Sequence, residues 1–272
     1  MVLLHADLKP GYHFCCLYET DDERRAILIP FLRQGLAQYE KVIYIVHSHT
    51  VESVLDQLRK QWMDIDSYLA RGQLDIVTSA STYLRNGIFN PEAMIALIRA
   101  EIDRALAKGY VGLRAAGDMT WTLEKPQGFH RLIEYEAKAN MLFSDSKITA
   151  LCEYDRRRFS PLLLRNVLYT HPRVVLRSQI YENFCYLPPG EFLRDDFAAT
   201  FLHHCIKNMR ARNALQKEFC DLREQLKIVS QERILELRKV NEALQEEIAK
   251  RMRVEDELQK ANQALRALHK RD

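Results

Sequence analysis

The sequence predicts an α/β protein: a doubly wound, mostly parallel sheet, followed by a long helical segment that ends in a coiled coil. Three observations predict it. Strand and helix patterns alternate over residues 1–180. Most strand candidates are continuous apolar runs, as expected where helices cover both faces of a parallel sheet. Beyond Gly190 the chain contains neither Gly nor Pro, and its apolar residues fall at helical spacing.

The first strand candidate spans 12–18. It leads into a helix over about 21–39 that carries Ile27, Leu28, Phe31, Leu32 and Leu36 on one side. Further strand candidates are 41–47, 73–79, 110–116, 147–154 and 173–180. Asn90 as an N-cap, Pro91 at the first helical position and Gly109 past the end punctuate another helix. Ser160-Pro161 repeats the cap-then-Pro pattern, and His171-Pro172 stops that helix. The alternation implies right-handed crossovers between parallel strands.

The turn after the first strand is the most informative segment. In a P-loop protein it would be a glycine-rich loop ending in Lys-Ser/Thr, whose N–H groups cradle phosphates. Here no glycine stands between Gly11 and Gly35, and the turn reads Glu19-Thr-Asp-Asp-Glu23. Thr20 and Glu23 have capping-box spacing, so the protein's own side chains should satisfy the free N–H groups. Four carboxylates within these five residues would also repel a phosphate. The expectation is a nucleotide-binding architecture without its triphosphate site. ATP is not expected, because Asp118 at the end of Val111-Gly-Leu-Arg-Ala-Ala-Gly-Asp118 has no phosphate-bound metal to hold.

The expected organisation is an α/β domain over 1–186, a linker over 187–194 at Tyr186-Leu-Pro-Pro-Gly190, and a helical segment over 195–272. From Leu237 the apolar positions follow heptads. One set is Leu237, Leu244, Arg251, Leu258 and Leu265; the other is Val240, Glu247, Val254, Ala261 and Leu268. Eight of these ten are apolar, which makes a coiled-coil seam with two polar defects. Upstream, Leu215, Phe219, Leu222, Leu226 and Val229 form another stripe, and the two are out of register across Ser230-Gln-Glu-Arg233, as a stutter would make them. One chain cannot bury so long a stripe alone. A homodimer through 235–268 is preferred over a helix folded back onto its own domain.

The chain has 272 residues, 47% hydrophobic and 28% charged, in the range of soluble globular proteins. A net charge of +3, with acids interleaved among the bases, gives no basis for nucleic-acid binding. No apolar run approaches the roughly 20 residues of a membrane span. The N-terminus has no signal-peptide pattern, and a cytoplasmic location is expected. The six cysteines, at 15, 16, 152, 185, 205 and 220, include no Cys-x-x-Cys and are expected as free thiols.

In an open α/β sheet, ligands bind beyond the carboxyl ends of the strands. The first strand brings His13, Cys15, Cys16 and Tyr18, with Glu19 at its end; the second ends in His47-Ser-His49. The fourth runs into Arg114-Ala-Ala-Gly-Asp118 and then Trp121, and the fifth into Cys152-Glu-Tyr-Asp155. Three readings compete. A metal could be held by His13, Cys15 or Cys16, His47 and Cys152, which are suitable zinc ligands. Strand alternation sends Cys15 and Cys16 to opposite faces, however, and leaves no close pair. Cys15 or Cys152 could instead pair with a histidine as a catalytic or redox thiol. Or the cysteines are small core residues. Trp121, just past a strand end beside Asp118, is either the wall of an apolar-ligand pocket or ordinary core.

Five segments, in order, resemble one family: His13-Phe-Cys-Cys-Leu-Tyr-Glu19, Gly112-Leu-Arg-Ala-Ala-Gly-Asp-Met-Thr-Trp121, Tyr135-Glu136 with Asn140, Cys152-Glu-Tyr-Asp-Arg-Arg-Arg-Phe159, and Thr170-His-Pro172. Together they resemble the MEDS (methanogen/methylotroph sensory) domain over about residues 10–190. The resemblance departs at Asp118, where the family often carries Glu. It implies a RecA/KaiC-like fold without a P-loop, and a sensor of small molecules, proposed to be hydrocarbon derivatives, that works beside DNA-binding domains or signalling kinases. It also implies His13, Cys15, Trp121, Glu136, Cys152, Tyr154, Asp155 and His171 as ligand-pocket or supporting residues. The tail after Pro189 resembles helices that link sensors to histidine-kinase cores. No kinase catalytic region or helix-turn-helix pattern accompanies it, and neither His203 nor His204 reads as a phosphoacceptor. The combined expectation is a non-enzymatic sensor that passes a signal through paired helices to a kinase or regulator.

Overall fold

The computed structural model describes residues 8–61, 64–177, 179–194 and 196–268, with side chains described to residue 262. Seven strands form one sheet: β1 (His13–Tyr18), β2 (Lys41–Val46), β3 (Leu74–Thr78), β4 (Leu113–Asp118), β5 (Ile148–Asp155), β6 (Arg173–Leu176) and β7 (Gln179–Glu182). Their order is β3-β2-β4-β5-β1-β6-β7. Strands β1 to β6 are parallel, and β7 runs antiparallel to β6. The doubly wound, mostly parallel α/β sheet expected from the sequence is the fold of this chain.

Side-chain parity divides the core into two layers. Phe14, Cys16, Val42, Tyr44 and Leu151 pack against α1 (Asp21–Ala37), α2 (Val51–Gln61) and α3 (Ile65–Ala70). Cys15, Ile43, Ile45, Ala150 and Cys152 face α4 (Pro91–Ala107), α5 (Leu132–Phe143) and α6 (Pro161–Thr170). Each buried Leu, Ile or Phe in these layers contributes about 1.5–3 kcal/mol of transfer free energy, so both faces are needed to hold the sheet.

The first turn is closed as the sequence predicts. Thr20 Oγ1 accepts from Glu23 N at 3.1 Å, and the Glu23 carboxylate reaches back to accept from Glu19 N at 2.8 Å. The caps at Asn90 and Ser160 also form, accepting from Ala93 N and Leu163 N.

Four boundaries differ from the sequence reading. Helix α1 stops at Ala37, and Tyr39 turns back with φ +61°. The fourth strand begins at Leu113 rather than 110, because Gly109 (φ +86°) still turns the chain. Gly112 also lies so close to Lys147 that a Cβ would stand 2.8 Å from its carbonyl oxygen. The single strand expected over 173–180 is a hairpin, bent at Arg177 (φ +47°). Within the expected linker 187–194 lies a helical turn, α7 (Pro189–Phe192).

The last helix, α8, spans Phe197–Leu268. The chain divides into two compact units, Met1–Ile206 and Lys207–Asp272. The first extends past the expected boundary at 186 because Phe197 and Phe201 pack their rings on Tyr169, at 5.5 and 4.9 Å. In the second unit Leu215, Phe219, Leu222, Leu237, Val240, Leu244, Val254 and Leu258 are all exposed. The two polar defects of the heptads pair with each other: Arg251 Nε donates to Glu247 Oε1 at 3.2 Å. The side chains of Leu265 and Leu268 lie outside the described residues.

Candidate functional site

The residues of chemical interest converge under α5. In the parallel pairing of β1 with β5, Cys15 stands beside Cys152 and His13 beside Ala150. Parity therefore points His13, Cys15, Cys152 and Tyr154 at α5. That helix presents Glu136 and Asn140, one turn apart on its buried face. His171, the residue that closes α6 ahead of β6, enters from the side. His13, Glu136, Tyr154 and His171 are at most 1% exposed.

Glu136 is the centre. Its Oε1 accepts from the Tyr154 hydroxyl at 2.6 Å. Its Oε2 lies 3.4 Å from His13 Nε2, 3.5 Å from His171 Nε2 and 3.7 Å from Cys152 Sγ. His13 Nε2 is also 3.4 Å from Cys152 Sγ. The two imidazoles lie 4.1 Å apart, centroid to centroid.

The surroundings fix both tautomers. Asn140 Nδ2 donates to the carbonyls of Glu136 and Thr170, so Asn140 Oδ1 must accept, and His13 Nδ1 must donate to it at 3.1 Å. His171 Nδ1 donates to the Val167 carbonyl at 2.9 Å. In the neutral rings both Nε2 atoms then carry lone pairs, and both face the Glu136 carboxylate. His171 Nε2 has no hydrogen-bond partner. Burial and the facing His13 push the His171 pKa down to about 3, which keeps this imidazole neutral. Burial, reinforced by Glu136, pushes the Cys15 and Cys152 thiols well above the ordinary range. Neither is an activated nucleophile of the kind a thiol enzyme needs.

The remaining expected site residues lie elsewhere. Trp121 is fully buried in an aromatic cluster, stacked on Tyr83 at 5.2 Å and packed on Phe89 at 4.6 Å. Tyr83 lines a cavity of about 390 Å³, which adjoins one of about 230 Å³ whose wall is mostly apolar (Ile43, Ile45, Val77, Met94, Leu97 and Ile98) and also carries Asp75, Arg85 and Glu101. Trp121 thus stands one ring behind a cavity wall. Asp118 is saturated by Ser48 and Thr120, which donate from backbone and hydroxyl alike. Asp155 accepts two bonds from the Arg157 guanidinium, and Glu19 pairs with Arg156. Arg114 is on the α1 face, where its Nε donates to Glu40 Oε2 at 2.5 Å. Tyr18 is also on the α1 face, and His47 bonds Ser79.

Sequence reasoning did not find one further network on the α1 face. Arg24 donates to the Tyr44 hydroxyl at 2.8 Å, and Tyr44 donates to Glu153 Oε2 at 2.9 Å. Burial raises the Glu153 pKa to about 7. The available sign was Arg24, a cation three and four residues before the apolar Ile27 and Leu28.

The sequence profile of the methanogen/methylotroph, DcmR sensory domain (MEDS) matches residues 12–172. The chain belongs to the MEDS family. The match spans every element that builds the buried cluster, from His13 to His171. A signalling sensor role follows at the level of the family. Comparison with curated proteins returned no match. Among solved structures, the chain is similar to a KaiC-like protein, PH0186, from the archaeon Pyrococcus horikoshii, at 12% identity and a TM-score of 0.46, covering 61% of this chain and 71% of that one. It is also similar to the flagellar accessory protein FlaH from Methanocaldococcus jannaschii, at 11% identity and a TM-score of 0.43, covering 65% and 78%. Among the described residues, no helix is long and apolar enough to cross a membrane.

Proposed function

We propose that this MEDS chain is the small-molecule sensor of a signal-transduction protein, of the histidine-kinase or transcriptional-regulator type, and that it signals as a dimer through the coiled coil at 235–268. The observation that carries the reading is the apolar stripe of α8. Leu237, Val240, Leu244, Val254 and Leu258 are more than half exposed in the single chain, at heptad spacing. A second copy of the same helix is the partner that satisfies this spacing, and the Glu247–Arg251 pair fits a specificity device in such a seam.

The ligand is a small apolar molecule, a hydrocarbon derivative, held in the cavity of about 230 Å³ under α4. This volume is below that of drug-sized pockets and suits a compound of a few heavy atoms. The chain acts in the cytoplasm and does not hydrolyse ATP, since the α1 N-terminus is occupied by its own carboxylates. Ligand binding shifts the output helix only insofar as its affinity differs between two states. Light scattering on the full chain and on a chain ending at 234 tests the output: a dimer for the first and a monomer for the second is expected, while a dimer that survives the deletion overturns the coiled-coil model. Thermal-shift screening with small apolar compounds tests the input, and a Leu97→Trp chain should lose any response.

A further inference from the structure

We propose that His13, Glu136, Cys152 and His171 form a closed tetrahedral site for a divalent cation of the zinc class. Their four donor atoms lie within 4.8 Å of one another, and all four residues are buried. Four of the six separations match those a tetrahedron requires. With bonds of about 2.05 Å to nitrogen, 2.1 Å to oxygen and 2.3 Å to sulfur, tetrahedral edges come to about 3.4 Å for N–O, 3.55 Å for N–S and 3.6 Å for S–O. The observed values are 3.4 and 3.5 Å for the two N–O edges, 3.4 Å for N–S and 3.7 Å for S–O.

Electrostatics points to the same ion, independently of the distances. Both imidazoles are pinned through Nδ1 to oxygen acceptors, the side chain of Asn140 and the carbonyl of Val167. This is the outer-shell pattern that orients metal-binding histidines. It aims two Nε2 lone pairs at a carboxylate, and one of these nitrogens has no hydrogen-bond partner. The Cys152 thiol, donating toward Glu136 Oε2 at 3.7 Å, carries the one proton among the four ligand atoms, and the imidazole–carboxylate contacts it leaves are repulsive in a low-dielectric interior. A single proton relieves one contact; a dication relieves all of them. The charges also close: a carboxylate, a thiolate, two neutral imidazoles and a dication sum to zero. On binding, Cys152 gives its proton to solvent as the sulfur–metal bond forms, and nothing is oxidised or reduced.

Four protein ligands leave no open position, so the ion would hold structure rather than activate water. It would join β1, α5, β5 and the α6–β6 turn. That turn leads toward the output: Asn183 Nδ2 donates to the carbonyls of His171 and Leu168, and Leu187 N donates to that of Tyr169. The link from the ion to signalling rests on the proposed sensor reading; the metal site itself does not.

The test uses the full chain, purified without chelators. Elemental analysis should find about one zinc per chain, as expected of a structural site. X-ray absorption on that protein should show a first shell of nitrogen, oxygen and one sulfur. Cobalt exchanged into the site should give a thiolate charge-transfer band, lost in Cys152→Ser and retained in Cys16→Ser, whose thiol lies on the other face. Asn140→Ala should weaken binding about 10–100-fold, because Asn140 only orients His13. A chain that takes up neither zinc nor cobalt, or a first shell without sulfur, overturns the proposal even if every variant fails to fold. Dimer formation in the truncation experiment is unaffected by either result, so failure of the metal site and failure of the sensor reading are separately visible.

Discussion

Replacing Arg114 by Met should destabilise the α/β domain severely while leaving the β1–α5–β5 cluster chemically intact. Arg114 is fully buried, and its Nε donates to Glu40 Oε2 at 2.5 Å. Its Nη1 and Nη2 donate to Gln34 Oε1 and Gln38 Oε1 at 3.2 and 3.0 Å, and the guanidinium lies over the Phe31 ring. Methionine keeps the apolar stem and removes the fork, so Glu40, only 5% exposed, loses its compensating charge. Breaking a buried pair from one side costs about 3–5 kcal/mol. For a domain of this size that is a fall in melting temperature of roughly 6–20 °C. Glu40→Gln alone should cost about 1–3 kcal/mol, since Arg114 keeps its amide and carbonyl acceptors. The double variant should be more stable than the sum of the singles predicts by at least about 1 kcal/mol. Urea unfolding followed by Trp121 fluorescence, in a Trp62→Phe background, measures all four corners. An Arg114→Met cost below about 1 kcal/mol, or strict additivity, refutes the reasoning. Metal content equal to that of the parent chain would separate this site from the cluster.

Three further outcomes are expected. Gly35→Ala places a Cβ 2.5 Å from Arg114 Cδ, an atom held by its own network, and should destabilise by about 1–3 kcal/mol despite alanine's better helix propensity; equal stability in a thermal melt would show that Arg114 can move. Burial raises the Asp118 pKa, but bonds from Ser48 and Thr120 outweigh it and hold the carboxyl below its ordinary value. Its stabilisation is therefore present above about pH 3.9, its unfolded pKa, and is lost as pH falls through the lower folded value; the pH dependence of unfolding in that window should flatten in Asp118→Asn. Maleimide should label exposed Cys220 first and leave Cys15, Cys16 and Cys152 protected until unfolding; rapid labelling of Cys15 or Cys152 in the native protein would revive the thiol-enzyme reading.

The architecture was legible because parallel strands write it as apolar runs, and because the helix caps at Thr20, Asn90 and Ser160 are local. The hairpin after β6 was not, since its turn uses Arg177 in a left-handed conformation and carries no glycine to mark it. All four residues of the buried cluster were candidates, yet their convergence could not be read. It depends on the lateral pairing of β1 with β5 and on where α5 lands, both set by tertiary packing. The carboxyl-edge rule pointed away from it: His13 opens β1 and His171 precedes β6, so both histidines sit at amino ends of strands, with Cys152 midway along β5. Arg114 and Asp118 stood near Trp121 in sequence, but parity and loop bonding carried them into separate networks.

The reciprocal cap at Thr20 and Glu23 bears on what it would take to seat an anion at this turn. An anion seat that has merely lost its glycines could be restored by small steps. Here the Glu23 carboxylate already occupies the Glu19 amide, Thr20 occupies that of Glu23, and Asp21 and Asp22 add charge to the same turn. Removing Glu23 alone frees the Glu19 amide to solvent but leaves the carboxylates of Glu19, Asp21 and Asp22 in the turn, and their charge still disfavours an anion there. Seating an anion at this turn would therefore take several substitutions made together, not one.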